Sequence, residues 1–211
     1  MNAINPKVAI VLGSDSDLPV IQDALQLLAE FGIPHEVTVS SAHRSPDRTL
    51  RYAVALEGRG LQVVIACAGA AAHLAGVIAA HTILPVIGVP VDSSPLKGLD
   101  ALLSTSMMPA GVPVATMGIG RAGATNAAVL AAQILARGDP SLARRLKEHN
   151  EGMSHYTRHG RPWELVWSEE CGNRSEAMRR EREIKSRKSK QYISRLIAEK
   201  GLGERPVTKN S

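Results

Sequence analysis

The sequence predicts a three-layer α/β domain built on a parallel sheet, followed by a short, basic extension rich in α-helix. Between residues 7 and 136, strand-like apolar runs alternate with segments of helical spacing. That alternation requires parallel crossovers, with helices on both faces of the sheet. The chain is 44% hydrophobic but only 3% aromatic, so aliphatic side chains must fill the core, as they do in parallel sheets.

Five short runs predict the strands. The first, third and fourth are continuous aliphatic runs, as expected for strands that are buried on both faces, and the second alternates between apolar and polar residues. Glycine, proline or polar residues bound each run. The runs cover residues 7–12, 35–40, 62–67, 85–89 and 112–117.

Five segments with helical spacing follow these strands. Gly32 and Pro34 end the first, Pro46 opens the second, and Gly58 closes it, because proline suits a first turn and glycine a helix end. The third is rich in alanine, the fourth is short, and the fifth is long and apolar. They cover residues 18–31, 46–57, 71–81, 99–105 and 124–136, and a strand over 162–169 and helices over 141–149, 175–189 and 192–200 are expected beyond them.

The charge divides the chain at about residue 137. Residues 1–137 carry 8 Lys and Arg against 9 Asp and Glu, a net charge of −1, whereas residues 138–211 carry 17 against 11, a net charge of +6. We therefore expect a catalytic α/β domain over 1–137 and a basic extension over 138–211.

Composition also excludes several classes of protein. Cys67 and Cys171 are far apart, so no disulfide framework is expected and a reducing compartment is indicated. We expect a cytoplasmic protein that does not contact a membrane, because the sequence has no signal-peptide pattern and no apolar run of about 18 residues. No His, Cys and Asp residues have the spacing of metal ligands, and no metal is expected.

The loop over residues 13–17 follows the first strand. Gly13 allows a tight turn, and the hydroxyl of Ser14 together with free amides at a helix start can hold a phosphate. The carboxylate of Asp17 would repel a phosphate, so it is expected to accept hydrogen bonds from ribose hydroxyls. The alternative is that Ser14 and Asp17 only cap the helix.

The loop over residues 41–44 follows the second strand. His43 offers a group that titrates near neutral pH, and Arg44 can clamp an anion with two parallel hydrogen bonds. The alternative is a pair of solvated loop residues.

The loop over residues 69–74 follows the third strand. Its small residues allow a ligand to approach the backbone closely, and His73 falls in the first turn of a helix. The helix dipole disfavours a cation there, so a neutral His73 is expected. A packed or capping histidine is the alternative.

Residues 118–123 read G-x-G-x-x-G between a strand and a helix. A dinucleotide site needs a further strand with an acidic residue, and here the α/β pattern ends after one helix. We expect a glycine-rich loop that closes the same phosphate-sized pocket.

Taken in order, several motifs of residues 7–137 resemble the PurE family of purine biosynthesis. They are V-A-I-V-L-G-S-D-S-D, S-A-H-R-S-P-D, A-A-H-L-A-G, L-P-V-I-G-V-P-V, G-L-D-A-L-L-S, M-P-A-G-V-P-V-A-T and A-G-A-T-N-A-A-V-L-A-A-Q-I-L. The resemblance implies a flavodoxin-like or Rossmann-like sheet. The S-A-H-R form is similar to the bacterial class I members, which are mutases of N5-carboxyaminoimidazole ribonucleotide.

That resemblance implies a reaction and an assembly. A carboxylate moves from the exocyclic nitrogen N5 to ring carbon C4 of a phosphoribosyl aminoimidazole, giving 4-carboxy-5-aminoimidazole ribonucleotide without ATP, metal or organic cofactor. A homo-octamer with active sites between subunits is also implied. Direct carboxylation of aminoimidazole ribonucleotide by CO₂ is the alternative reaction.

Site residues follow from the same resemblance. Ser14, Asp17 and Arg44 match positions that bind the phosphate and ribose. His43 matches the histidine that transfers the proton, and His73 lines the pocket and is expected to be a second catalytic residue. The expected substrate-binding residues are Ser14, Asp17, Ser41, Arg44, Ala68, Gly69, Ala71 and Leu74.

Four positions depart from the family pattern. Cys67 and Ala70 stand where glycine is usual, Ala75 where proline is usual, and Met107 where glutamine is usual. Ala70 matters most, because a methyl group at a glycine position can block close approach or oppose a positive φ.

Residues 142–200 resemble the second half of a GIY-YIG nuclease domain, through A-R-R-L-K-E-H-N-E-G-M-S-H-Y-T-R-H-G-R-P-W-E-L-V-W and R-S-E-A-M-R-R-E-R-E-I-K. The resemblance matches Arg145 to the catalytic arginine, His149 to a motif histidine and Glu181 to the metal-binding glutamate. The sequence has no strands with the Gly-Ile-Tyr and Tyr-Ile-Gly motifs, so no cleavage is expected. The charge of the extension leaves binding to nucleic acid phosphates open, with a solvated charged helix as the alternative.

Overall fold

The structure, a computed structural model, describes residues 5–153, 169, 171–187 and 189–200. Its contacts divide the chain into two units, residues 1–153 and 154–211. The first unit contains a five-stranded sheet with helices, and the described part of the second is mainly helical.

The sheet of the first unit has the order β2-β1-β3-β4-β5, and every neighbouring pair is parallel. This confirms the predicted parallel α/β fold. The strands are β1 (Val8–Leu12), β2 (His35–Val39), β3 (Val63–Gly69), β4 (Val86–Val91) and β5 (Ala115–Thr116).

Strand register brings the functional loops to one edge. Leu12 at the end of β1 pairs with Val39 at the end of β2 and with Cys67 of β3, and Gly69 at the end of β3 pairs with Val91 at the end of β4. In an open parallel sheet, the crevice beyond the carboxyl ends of the strands is where ligands bind.

Helices cover both faces of the sheet, which confirms the three layers. Val8, Ile10 and Leu12 of β1 pack with the helices α1 and α5, whereas Ala9 and Val11 point to the other face and pack with α2 and α3. The helices of this unit are α1 (Gln22–Glu30, after a 3₁₀ helix over Asp15–Ile21), α2 (Pro46–Ala55), α3 (Leu74–Ala79), α4 (Leu99–Ser106), α5 (Gly120–Ala136) and α6 (Pro140–Glu148).

Element boundaries differ from the predictions by three or more residues at four places. α1 begins at Gln22 instead of residue 18, because a 3₁₀ helix precedes it, and α5 begins at Gly120 instead of residue 124. β5 has only two residues instead of the predicted 112–117, because Val112 closes a turn onto the Pro109 carbonyl oxygen (3.2 Å) and Pro113 has no N–H to donate. α3 begins at Leu74 instead of residue 71, because the Ala72 and His73 amides donate to carbonyl oxygens only two residues earlier.

Helix α6 packs on the core of the first unit. The Asp139 carboxylate accepts hydrogen bonds from the Ser141 and Leu142 amides at 3.0 and 3.1 Å, and these bonds lower the pKa of Asp139. Leu142 and Leu146 are buried in the cluster that also contains Phe31. The ring of His149, in the π-helical turn that follows, lies edge-on to Phe31 with centroids 5.3 Å apart.

The second unit has two charged helices in its described part, α7 (Arg174–Arg187) and α8 (Lys190–Lys200), as predicted. Arg180 pairs with Glu169 at 2.8 Å and with Glu183 at 2.9 Å. The strand predicted over residues 162–169 lies outside the described residues except for its last position. Among the residues that the structure describes, no helix is long and apolar enough to cross a membrane, and no cluster of His, Cys, Asp and Glu fits a metal ion.

Candidate active site

A cleft of about 290 Å³ opens at the carboxyl edge of the sheet, between the loops that follow β1, β2, β3 and β4. Nine of the ten predicted site residues line it, and the tenth, His73, lines a neighbouring groove. The lining residues are Gly13, Ser14, Ser16, Asp17, Ser41, Ala42, His43, Arg44, Ala68, Gly69, Ala71, Leu74 and Ser93.

Ser14 and Asp17 cap the helix that opens at residue 15. The Ser14 hydroxyl accepts a hydrogen bond from the Ser16 amide (3.4 Å), and the Asp17 carboxylate accepts one from the Ser14 amide (3.2 Å). This reciprocal pair is a capping box. The capping role is therefore present in the structure, and it holds both side chains at the cleft.

Asp17 is an unusual carboxylate because it is only 3% exposed. Burial raises its pKa, although hydrogen bonds from the Ser14 amide and from Ser16 oppose the shift. The carboxylate lies at the cleft although burial disfavours its charged form, which is consistent with a role in binding in addition to capping.

Arg44 bridges two of the loops. One guanidinium nitrogen donates to the Gly13 carbonyl oxygen (3.2 Å), and the Arg44 amide donates to the Ser41 hydroxyl (3.2 Å). Among the described residues, no carboxylate forms an ion pair with Arg44, and its side chain is exposed at the cleft. Its remaining donors can therefore receive an anion.

His43 and His73 form a direct hydrogen bond. Nε2 of His43 lies 2.9 Å from Nδ1 of His73, and the two rings meet edge-on with centroids 5.0 Å apart. One nitrogen must donate and the other must accept, so the bond requires that one of the two nitrogens has no proton. The pair can hold one proton between its rings and pass it from one to the other.

The loop after β3 is strained at one alanine. Ala70 has φ +52°, in the left-handed region, which costs an L-residue about 1–2 kcal/mol. This explains why the family pattern has glycine there. Small side chains at Ala68, Gly69 and Ala71 leave the backbone of this loop accessible from the cleft.

The other three departures from the family pattern do not line the cleft. Cys67 is fully buried in β3, and burial raises the pKa of its thiol, which makes it a poor nucleophile. Ala75 lies in the first turn of α3, where proline is permitted but not required. Met107 is 78% exposed and lies outside the cleft.

A second, mainly apolar groove of about 650 Å³ adjoins His73. His81, Met107 and Met108 are among its lining residues, and Nδ1 of His81 lies 2.8 Å from the Val77 carbonyl oxygen. His73 therefore contacts the cleft through its bond to His43 while its ring lies along the groove.

The loop over residues 118–123 does not line the cleft that a single chain forms. The prediction that this loop closes the same pocket is therefore wrong for that cleft. The glycines of the loop serve local packing instead. A side chain at Gly123, in the first turns of α5, would overlap the Gly118 carbonyl oxygen, and Gly120 starts that helix with φ +75°.

Sequence reasoning missed some of the lining residues, notably Ser16, Ala42 and Ser93. Ser16 and Ala42 lie inside motifs that were already identified. Ser93 carried a usable signal, because it follows β4 at the same edge of the sheet as the other loops.

Two family models match this chain. The model of the AIR carboxylase family matches residues 7–156, and that of the GIY-YIG catalytic domain matches residues 140–193. The two matches share the segment 140–156, most of which lies in α6 and the turn after it.

Curated proteins similar to this chain include three called N5-carboxyaminoimidazole ribonucleotide mutase. The Thermotoga maritima protein is 55% identical over 148 residues, which are 70% of this chain and 85% of that one. The Bacillus subtilis protein is 53% identical over 70% of this chain and 91% of its own length. The Escherichia coli K12 protein is 53% identical over 71% and 89%, respectively.

The solved structures agree. The crystal structure of Treponema denticola PurE superposes with a TM-score of 0.65 at 26% identity, and the match covers 74% of this chain and 96% of that one.

Proposed function

The chain belongs to the AIR carboxylase family, and we propose that it is an N5-carboxyaminoimidazole ribonucleotide mutase of purine biosynthesis. Such an enzyme is an isomerase that moves a carboxylate from N5 to ring carbon C4. The observation that carries the proposal is the meeting of three features at one cleft: the His43–His73 pair, the exposed guanidinium of Arg44 and the small-residue loop after β3.

The nucleotide's phosphate and ribose bind at the end of the cleft formed by the loops after β1 and β2. The guanidinium of Arg44 has N–H donors left for the phosphate, and Ser14 and Ser16 line the same cleft with their hydroxyls. Asp17 accepts hydrogen bonds from ribose hydroxyls, which gives its buried carboxylate partners in addition to the Ser14 amide.

The aminoimidazole ring and its carboxylate lie at the other end, against Ala68, Gly69 and Ala71. The small side chains there leave room for CO₂ beside C4. Holding two reactants in place in this way can supply about 7–11 kcal/mol of the barrier.

The chemistry balances within the substrate. The exocyclic nitrogen takes up a proton and keeps the electron pair of the breaking N–C bond, so that CO₂ is released and an amine is left. The enamine electron pair at C4 then forms the new C–C bond, and one C=O pair of CO₂ moves onto oxygen. His43 removes the C4 proton, which restores the aromatic ring.

His73 completes this proton transfer. One proton is taken up at nitrogen and one is given up at C4, so the cycle needs a group that can store a proton and return it. The hydrogen-bonded imidazoles of His43 and His73 form such a group, because each ring nitrogen can accept or donate a proton.

The nearest alternative is direct carboxylation of aminoimidazole ribonucleotide. Two assays distinguish the reactions: one supplies N5-carboxyaminoimidazole ribonucleotide without added bicarbonate, and the other supplies aminoimidazole ribonucleotide with bicarbonate. A mutase forms the 4-carboxy product rapidly in the first assay. If the 4-carboxy product forms only in the second assay, the proposal is overturned.

We also propose the homo-octamer and the cytoplasmic location. Apolar side chains are exposed along the groove beside His73, including Leu103 and Met107, and a subunit contact would bury them. Both cysteines are free thiols, which supports a reducing compartment. A mass measured in solution near eight chains supports the octamer, and a monomer overturns it.

A second candidate function, binding to nucleic acid, rests on α7. Arg179 and Arg182 lie on one stripe of this helix, and neither forms an ion pair among the described residues. Arg145 and His149, which match nuclease positions, belong to the first unit, where His149 packs on Phe31. Retention on DNA that weakens steeply with salt and is lost in Arg179→Gln with Arg182→Gln supports binding, and retention unchanged by these substitutions overturns it.

A further inference from the structure

Ser93 lies at the cleft and has no role in the account above. It comes two residues after β4, and its amide donates to the Val91 carbonyl oxygen (3.1 Å), which turns the chain back over the end of the sheet. Because Val91 pairs with Gly69 in the adjacent strand, this turn places Ser93 against the loop after β3.

The contact between Ser93 and Gly69 is close. A side chain at Gly69 would overlap the Ser93 hydroxyl, and its Cβ would lie 2.9 Å from the Ser93 Cβ and 3.1 Å from the Val91 carbonyl oxygen. The hydroxyl therefore occupies the space that any other residue at position 69 would fill. It lies at the part of the cleft where the small-residue loop receives the carboxylate.

The hydroxyls that line the cleft differ in their partners. Ser14 and Ser16 bond to each other at 2.8 Å, and the Ser41 hydroxyl accepts from the Arg44 amide at 3.2 Å. Among the described residues, the Ser93 hydroxyl has no hydrogen-bond partner, and its side chain is exposed at the cleft. Its donor is free for a ligand.

Residues 68–71 supply no side-chain donor. They are Ala68, Gly69, Ala70 and Ala71, and a carboxylate bound against them needs donors from elsewhere. We propose that the Ser93 hydroxyl donates a hydrogen bond to the migrating carboxylate and holds the released CO₂ beside C4. This role rests on the proposed mutase function and makes Ser93 a substrate-binding residue of that reaction.

The experiment compares Ser93→Ala with Ser94→Ala in the full chain. Ser94 is a matched control, because its hydroxyl accepts from the Leu96 amide (3.1 Å) and does not line the cleft. Each variant is given N5-carboxyaminoimidazole ribonucleotide in ¹³C-labelled bicarbonate, and label in the product reports CO₂ that escaped and was replaced. Release of aminoimidazole ribonucleotide is measured in the same samples.

We expect Ser93→Ala to lower kcat/KM by roughly 10- to 100-fold, the range for a lost hydrogen bond to a charged group. It should also increase both label incorporation and release of aminoimidazole ribonucleotide, while Ser94→Ala matches the wild type. Wild-type kcat/KM and labelling in Ser93→Ala overturn the proposal, as does a loss of activity with unchanged labelling, which indicates a structural role. A wild-type chain that forms no 4-carboxy product overturns the mutase function and this role with it.

Discussion

Nε2 of His43, on the loop after β2, lies 2.9 Å from Nδ1 of His73, the residue that precedes α3. The two residues are 30 positions apart in the chain, and the parallel pairing of β1 with both β2 and β3 brings their loops to the same edge. This bond links a nucleotide-sized cleft to the loop where a carboxylate can be held, and the proposed proton transfer depends on it.

His43→Asn should bind nucleotide normally but lose turnover, because asparagine keeps the polar shape of the side chain and cannot exchange a proton near neutral pH. The expected loss in kcat is about 10²- to 10⁴-fold, with the Kd of the product nucleotide unchanged by calorimetry. His81→Asn is the matched control, since His81 bonds to a backbone carbonyl and lies outside the cleft. Near-normal turnover in His43→Asn contradicts the assignment.

Asp17→Asn should change the pH dependence of stability. Burial raises the pKa of Asp17 in the folded chain, so the folded state binds this proton more tightly than the unfolded state does. The charged form therefore lowers stability at neutral pH, and this effect disappears as the pH falls through the raised pKa towards 3.8.

Urea denaturation at several pH values measures the effect. The variant should gain stability relative to the wild type as the pH rises from 3.8 through the raised pKa, and it should bind nucleotide more weakly. A difference that is constant over this range contradicts the account of Asp17.

Ala70→Gly should stabilise the fold. Relief of the strain at φ +52° raises the free energy of unfolding by about 1–2 kcal/mol. The greater freedom of glycine in the unfolded chain lowers it by about 0.5–1 kcal/mol, so the net gain is about 0.5–1 kcal/mol. Ala71→Gly is the control, because Ala71 has no positive φ, and it should lose stability. Denaturation curves that show Ala70→Gly to be less stable than the wild type exclude strain at this position.

Leu146→Ala should destabilise the first unit by about 2–5 kcal/mol, because Leu146 is only 6% exposed and packs in the same cluster as Phe31. Leu99→Ala, at an exposed position of α4 outside the groove beside His73, should cost much less. Thermal denaturation compares the two variants. An equal, small effect of both substitutions means that α6 does not contribute to the core.

The sheet could be predicted because its central strands are unbroken aliphatic runs bounded by turn residues. β5 could not, since it is an edge strand of two residues that pairs with β4, and its length depends on the turn at Pro109 and on Pro113, which has no N–H to donate. The start of α3 was missed for a similar reason, because the left-handed Ala70 and the two tight turns after it delay the helix.

The candidate site could be predicted where a motif follows a strand, as it does for Ser14, His43 and Arg44. The contact between His43 and His73 could not be predicted from the sequence, because it depends on the register of three strands. Ser93 was missed because a serine after a strand is common. Its significance comes from its contact with Gly69, which arises only when β4 pairs with β3.

The fate of the carboxylate carbon tests the central claim most directly. The purified full chain is given N5-carboxyaminoimidazole ribonucleotide with a ¹³C-labelled carboxylate, in unlabelled bicarbonate, and the product is analysed by mass spectrometry. The account predicts 4-carboxy-5-aminoimidazole ribonucleotide that retains most of the label, because the cleft holds CO₂ between the two steps. Unlabelled product, or no 4-carboxy product at all, contradicts it.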